Sequence, residues 1–594
     1  MCILGVKIIG HDTGAAIIAG DNVFAIAEER VNRIKHSRNM FPRLSIDYCL
    51  KAADCKDSDI VLVVIDQVDE PGRYSMKEIF NKETGGRFAH AKIEVINHHD
   101  AHAASAFFCS PFNEAAVMVV DGAGEKFPSF LGVPLTETET MYIGKDNTLT
   151  EFNKTLHLRL AKNFPYTFGI GKLYTTITRY LNFGDYEEGK TMGLAPYGNS
   201  ILFEKFPVSR WWKEWHGHFI CNALIRYPKT ITGSTASLLT RLMFFLKQKI
   251  HNAFLSLART FGASEYFQIP KIFDPIHLPE PIRPKETKLP DEYYTNIAFM
   301  IQNILEDVVC SMASRIRAVS KQKYLCIAGG VGLNSVVNKK IIEECGFEDI
   351  WIQPACSDTG VALGCALYGY CGILKRPRRW TMQNAYLGRP YSQKETVEAI
   401  NRFGDQISVV TSQNIASDTA DALVAGKIVG WFQGEAEYGP RALGHRSILV
   451  DPRPTHMKDT LNNRVKHREP WRPFAASVLA DRVGEYFDLD RPSPYMLLVC
   501  NVKPELREKI PAVVHVDGTC RIQTVTKEEN GLYYDLIQQF ANRTGVPLIL
   551  NTSYNLAGEP IVETPDDAIK DMLNTNIDML VIGDLILTKR TSHV

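Results

Sequence analysis

Residues 2–14 read CILGVKIIGHDTG. The apolar run over 3–9 predicts a short buried strand, and Gly10-His11-Asp12-Thr13-Gly14 predicts a turn. Beyond it, AAIIAG (15–20), a turn at Asp21-Asn22 and VFAIAEER (23–30) read as a β-hairpin. RLSIDYCLKAAD (43–54) has a helical pattern, and IVLVVID (60–66) and IEVIN (93–97) read as strands. HHDAHAASAFF (98–108) has the small residues that suit a helix. AAVMVVDGAGE (115–125) is a strand ending in a glycine-rich turn, and YLCIAGGVGLNSVVNKKII (324–342) reads strand, glycine turn, helix. Strands alternating with helices predict an α/β sheet.

Three strands thus end in glycine turns: GHDTGAA, DGAGE and AGGVGLN. Such turns let backbone N–H groups approach phosphate oxygens, and a following helix N-terminus adds a favourable dipole. One alone commonly just ends a strand. Three in one region favour a nucleotide fold related to actin and sugar kinases.

The rest of the chain bounds the answer. With 594 residues there is room for several cores. Hydrophobic residues make up 45% and charged residues 23%, which excludes a disordered, collagenous or coiled-coil chain. Lys+Arg and Asp+Glu are both 67, so the basic excess of a nucleic-acid coat is missing. Thirteen cysteines in no repeated spacing argue against a disulfide framework and for a reducing cytoplasm. The first residues carry no signal-peptide pattern. The most membrane-like stretch, 238–257, contains Arg241, Lys247 and Lys249, and no apolar run there approaches the ~18 residues of a span. The segment from about 200 to 290 has its own character and reads as a helical insertion on the α/β body. KRPRRWTMQNAYLGRPYS (375–392) reads as a linker, and a fresh α/β pattern follows it: ISVVT, SDTADALVAG, KIVGWFQG, VPLILN and MLVIGDLILT. The boundary falls near 384, and no internal sequence repeat is evident.

Three features carry chemistry. On a helix, His98 and His102 are four apart and share one face, as metal ligands require. Asp121 and Asp358 could complete a set of two imidazoles and two carboxylates, suited to iron, zinc or manganese; equally, they could be helix caps. The stretch 427–472 holds nine Lys/Arg against five acids, interleaved with Trp471, Pro473 and Phe474. Such a run is commonly a solvated face, but the buried-type residues within it favour an anion site. Arg521, Asn551 and Ser553 add further anion-type donors. His11, beside Asp12, could be a general base or simply a hydrogen-bonded turn residue.

The ordered set GHDTGAA with AEERVNRIKH, NHHDAHAASAF, VVDGAGE, GKTMGLAPYG, AGGVGLNS, PACSDTGVALG, EYGPRALGHRSIL, KHREPWRPFA, HVDGTCRIQTV and NTSYNLAGEPIV resembles, almost end to end, the O-carbamoyltransferases of nodulation and antibiotic biosynthesis. Their members carbamoylate aminoglycosides, cephems and Nod factors. The resemblance implies an actin-like (ASKHA, Kae1-like) domain over 1–383 with the helical insertion, followed by an α/β YrdC-like domain over 384–594. It implies that the second domain makes carbamoyl-adenylate from carbamoyl phosphate and ATP with Mg2+. The first then passes the carbamoyl group to a hydroxyl of a small natural product. By residue it implies His98, His102, Asp121 and Asp358 as the site of one divalent ion, typically Fe2+, with Zn2+ or Mn2+ as alternatives. Gly124, Gly329, Gly330 and Asn334 would lie on the nucleotide side. His11 would deprotonate the acceptor, and Lys35 would help neutralise the intermediate. Arg441, Arg446, Lys466, Arg472, Arg521, Asn551 and Ser553 would form the carbamoyl phosphate and ATP pocket. The implied partners are carbamoyl phosphate and a small hydroxyl acceptor, without nucleic acid or membrane, and a homodimer is allowed. A water-sensitive mixed anhydride also implies a buried passage between the domains. The chain departs from the family at Gly10, where Tyr or Phe is usual, and at Thr13, where many members have Ser; neither removes a needed group.

Two other functions compete. A tRNA threonylcarbamoyl transferase shares both domain types, but zero net charge and the joining of both domains on one chain weigh against it. A non-catalytic nucleotide-binding protein is disfavoured because every expected ligand and the basic pocket are retained.

Overall fold

The computed structural model describes residues 2–68, 75–127, 135–158, 167–215, 218–222, 225–226, 276–285 and 289–590. All that follows concerns these. The expected membrane-like stretch 238–257 and most of the expected helical insertion lie outside them. The described flanks of that insertion are short helical turns and short strands, among them Trp212–Trp215 paired with His218–Asn222.

The first sheet forms around Cys2–Lys7, every residue of which is buried. It pairs antiparallel with Gly14–Ala19, which pairs antiparallel with Asn22–Ala27. On its other side it runs parallel to Ile60–Gln67, which runs parallel to Lys92–Asn97. Taken in chain order, the strands lie third, second, first, fourth, fifth. In the six-stranded second sheet, the five longer strands repeat that order with Thr148–Leu158, Leu135–Lys145, Glu114–Val120, Tyr324–Ala328 and Asp349–Ile352, and the two-residue strand Lys126–Phe127 adds to Leu135–Lys145. The duplication defines an actin-like body, and it is a repeat of topology with no repeat of sequence.

Two small-residue helices, His98–Phe107 and Val361–Leu367, wedge between the sheets. Glycine permits the approach. A Cβ on Gly364 would stand 1.8 Å from the Ala101 carbonyl oxygen, and one on Gly5 would stand 2.2 Å from that of Ala362. Glu292–Ser320 is long and apolar enough to cross a bilayer by length and composition, but its apolar side packs into the core beside Met118, Ile170 and Leu325.

The remaining chain builds a nine-stranded mixed sheet whose edge strands are Ile407–Thr411 and Leu498–Asn501. MLVIGDLILT divides into two antiparallel strands because Gly583, at φ 59°, turns the chain between them. AEER also departs from the hairpin reading: Glu28–Asn32 is helical. The linker region is packed. Met382 N–H donates to the Cys109 carbonyl, and Ala25 N–H donates to that of Leu387. One core spans both parts, joining Met118, Leu173 and Phe183 to Leu443, Trp471 and Tyr495. Burial of Trp471 explains the interleaving of apolar residues with the basic run.

Candidate active site

Asn97 caps the helix His98–Phe107 by accepting from the N–H groups of His99 and Asp100, at 2.8 and 3.1 Å. One helical turn then sets the His98 and His102 rings edge to face, 4.7 Å apart. Asp121 follows the strand Glu114–Val120, and Asp358 opens the turn Asp358–Gly360. Their four ligand atoms lie within 4.8 Å of one another, all on buried residues. Nε2 of His98 and Nε2 of His102 are 3.6 and 3.7 Å from Asp358 Oδ1. Neither nitrogen has a hydrogen-bond partner among the described residues. Buried polar atoms are rarely left so, and a divalent ion among them would satisfy both. The residues present fit such an ion. Asp66 orients His98 through its Nδ1 at 3.0 Å, and Asp121 accepts from Gly330 N–H at 2.8 Å.

Lys7 and Asp66, which no sequence motif marks, complete this cluster. Lys7 Nζ lies 3.2 Å from Asp358 Oδ2 and 3.6 Å from Asp66 Oδ2. Burial works to lower the Lys7 pKa, but Asp66 and Asp358 outweigh it and raise it, so the ammonium stays charged. Asp358 is held well below the usual carboxylate range: burial opposes this, and His11, Lys7 and His98 overcome it. A signal existed, since Lys7 and Asp66 are the charged residues in otherwise apolar strand runs.

His11 lines the cleft beside this cluster. Its Nδ1 pairs with Asp12 Oδ2 at 2.9 Å, and its Nε2 is 3.5 Å from Asp358 Oδ2. Asp12 Oδ1 holds His36 Nδ1 at 2.8 Å, and the Tyr186 ring packs on both imidazoles. The His11 pKa is raised: burial would lower it, but Asp358 and Asp12 prevail. Lys35 is exposed within the same cleft.

Across the cleft, Arg441, Lys466, Arg472, Arg521, Asn551 and Ser553 form a wall. Lys466 Nζ donates to the Ser553 carbonyl, to the Asn555 carbonyl at 3.1 Å and to Asn555 Oδ1 at 3.0 Å. Burial, with Arg468 and Arg472 nearby, drives its pKa well down. Arg521 is depressed in the same way by burial and by Arg441 and Arg472. The Nε atoms of Arg441 and Arg521, and Asn551 Oδ1, find no partner among the described residues. Cations buried together with few counter-charges make a site for a polyanion. Two residues not singled out from sequence join the wall. Arg468 stacks 4.0 Å over Phe474, and Lys190, from GKTMGLAPYG, reaches Glu469 at 2.8 Å.

Not every expected residue faces the cleft. Arg446, expected in the anion pocket, is fully buried behind it, 3.6 Å over the Phe432 ring, and donates to the carbonyls of Gln433 and Gly434. Gly330 and Asn334 line the cleft, whereas Gly124 and Gly329 do not. Gly124 packs on His99, and Gly329, at φ 90°, lies against Val120. The two sites expected in different domains share one cavity of about 1190 Å3, which His11, Asp121 and Asp358 line together with Lys466, Arg472 and Arg521.

Fold and site together are those of a group-transfer enzyme, and the family comparison says which. The carbamoyltransferase N-terminus model matches residues 2–88 and 77–367, and the carbamoyltransferase C-terminus model matches 420–589. The chain belongs to the carbamoyltransferase family and is a carbamoyltransferase. It is 34% identical to the uncharacterized protein sll1178 of Synechocystis, over 99% of this chain and 96% of that one. It is 32% identical to nodulation protein NolNO of Sinorhizobium fredii, over 98% and 79%. Among solved structures, full-length HypF in its phosphate- and nucleotide-bound form is similar at 14% identity and a TM-score of 0.33, over 64% of this chain and 56% of that one. A ROK family glucokinase from Streptomyces griseus is similar at 11% and 0.28, over 62% and 98%.

Proposed function

We propose that the enzyme is an ATP-dependent O-carbamoyltransferase working in two steps, adenylation in the part following residue 384 and transfer in the part before it. In the first step water releases phosphate from carbamoyl phosphate, and the carbamate oxygen attacks the α-phosphorus of Mg2+-bound ATP. Pyrophosphate leaves and carbamoyl-adenylate forms. Lys466, Arg472, Arg441 and Arg521 offset the repulsion between two polyanions and align the reacting atoms. In the second step His11 takes the proton of the acceptor hydroxyl, oriented by Asp12 through Nδ1. The hydroxyl oxygen attacks the carbamoyl carbon, and AMP leaves. An iron(II) ion on His98, His102, Asp121 and Asp358 would supply Lewis-acid polarisation when bound. Lys35 offsets charge on the adenylate, and Gly330 and Asn334 face its nucleoside.

The observation that carries this reading is the continuous cleft, which the cationic wall and His11 line together. Zero net charge supports a small-molecule acceptor over tRNA, and thirteen cysteines, each a free thiol, support a cytoplasmic setting. The test supplies ATP, Mg2+ and carbamoyl phosphate to the full chain. Phosphate and pyrophosphate should be released together and only when both substrates are present. Release by Lys466→Ala at the wild-type rate would refute the assignment of the wall. A mass-gain screen over aminoglycoside, cephem, macrolactam and guanidinium-alkaloid alcohols would identify the acceptor.

A further inference from the structure

Between the helix Glu28–Asn32 and residue 40 the chain takes a costly path. Arg33, His36, Ser37 and Asn39 all have positive φ, at 61°, 64°, 37° and 53°. Such a run persists only where surrounding contacts enforce it, and it concentrates at functional places. Here both ends are pinned. Arg33 lies in the first half of the chain, yet its guanidinium donates to the carbonyls of Ile561 at 2.7 Å and Pro560 at 2.9 Å. Glu559 and Asp567 stand 3.6 and 3.8 Å from it. At the other end, His36 is held by Asp12, which also holds His11, and Asp12 N–H donates to the His36 carbonyl at 2.7 Å. Asn39 N–H donates to the Gly10 carbonyl at 2.7 Å. Between the pins, Lys35 enters the cleft, and residues 559–561, which Arg33 contacts, form part of its wall. Arg33 itself does not line the cleft.

We propose that residues 33–39 are a latch that closes the chamber wall between the two halves, and that Arg33 is a positioning residue that keeps the activated carbamoyl group from water. The proposal rests on the two-step reading above. Without the latch, the wall at 559–561 loses its tie to the loop that carries Lys35 and braces His11. Water then reaches the carbamoyl-adenylate and adds to the carbamoyl carbon. The bond to the phosphoryl oxygen breaks, AMP departs, and the carbamate left decomposes to carbon dioxide and ammonia. Adenylation continues, because the Lys466 contacts to Ser553 and Asn555 do not pass through Arg33.

The experiment follows pyrophosphate release by the full chain with ATP, Mg2+ and carbamoyl phosphate, and no acceptor. Wild-type protein should give a burst of about one pyrophosphate per chain and then a slow phase, because the intermediate is retained. Arg33→Ala should keep the burst and raise the slow phase about tenfold or more, a gain that simple loss of structure does not produce. If Arg33→Ala does not fold, Arg33→Lys decides instead. It keeps a charge beside Glu559 and Asp567 but cannot hold both carbonyls, and the same rise is expected. An unchanged slow phase, a burst and slow phase that fall together, or a wild-type chain already without a burst overturns the latch. A wild-type chain that releases no pyrophosphate overturns the two-step reading itself, and that result needs no variant.

Discussion

Lys7 Nζ sits 3.2 Å from Asp358 Oδ2, with no exposure, at the end of a buried strand. The pair links the first sheet to the turn that supplies one of the four clustered ligands. Lys7→Met removes the buried ammonium that Asp66 and Asp358 share. Removing one partner of a buried pair costs about 3–5 kcal/mol, so the metal-free protein should lose that much stability. Added divalent ion should restore part of it, because the ion supplies the missing charge. Urea unfolding with and without chelator checks both statements, and equal losses in the two conditions would contradict the proposed ion site.

His11 lines the cleft from the first half of the chain, beside Asp358. His11→Asn should lower carbamate-ester formation by about 10²–10⁴-fold while leaving the initial pyrophosphate burst near wild type. The two products are measured in one assay, with whichever alcohol the mass-gain screen identifies. Loss of the burst itself would place His11 in adenylation instead.

Arg521 is half-buried beside Arg441 and Arg472, and its Nε finds no partner among the described residues. Function therefore works against stability here. Arg521→Met should raise the stability of the ligand-free chain by about 1–2 kcal/mol and cut pyrophosphate release by about 10²-fold or more. Calorimetry and the pyrophosphate assay read the two effects, and a destabilised variant would show that the wall has a counter-charge.

Asp571 is buried with Oδ2 unpartnered, and its pKa is pushed up to about 7, chiefly by burial and then by Glu559. The folded value lies above the unfolded one, so the folded protein favours the proton. That contribution is complete below the unfolded carboxylate value near 4 and is lost as pH rises toward 7. Asp571→Asn should therefore stabilise the protein at pH 8 by at most about 4 kcal/mol, with little effect at pH 4. Denaturation midpoints at the two pH values test the sign, and a larger gain at pH 4 would reverse it.

Much of this molecule is legible in its residues alone. Apolar runs ending in glycine turns mark Cys2–Lys7, Glu114–Val120 and Tyr324–Ala328 as strands. Four-residue spacing puts His98 and His102 on one helix face, because helix periodicity is a local property. The ordered motifs mark the family. The tertiary structure alone shows the duplicated strand order, since pairing joins segments far apart in sequence, and different sequences can satisfy it. It alone separates Arg441, which faces the cleft, from Arg446, five residues on, which lies behind it. It alone brings Lys7 and Asp66 to Asp358, and Arg33 to Pro560 and Ile561. Periodicity reports which residues are buried along a segment; which buried or basic side chains meet across a cavity is decided only when the sheets pack and their turns converge on one space.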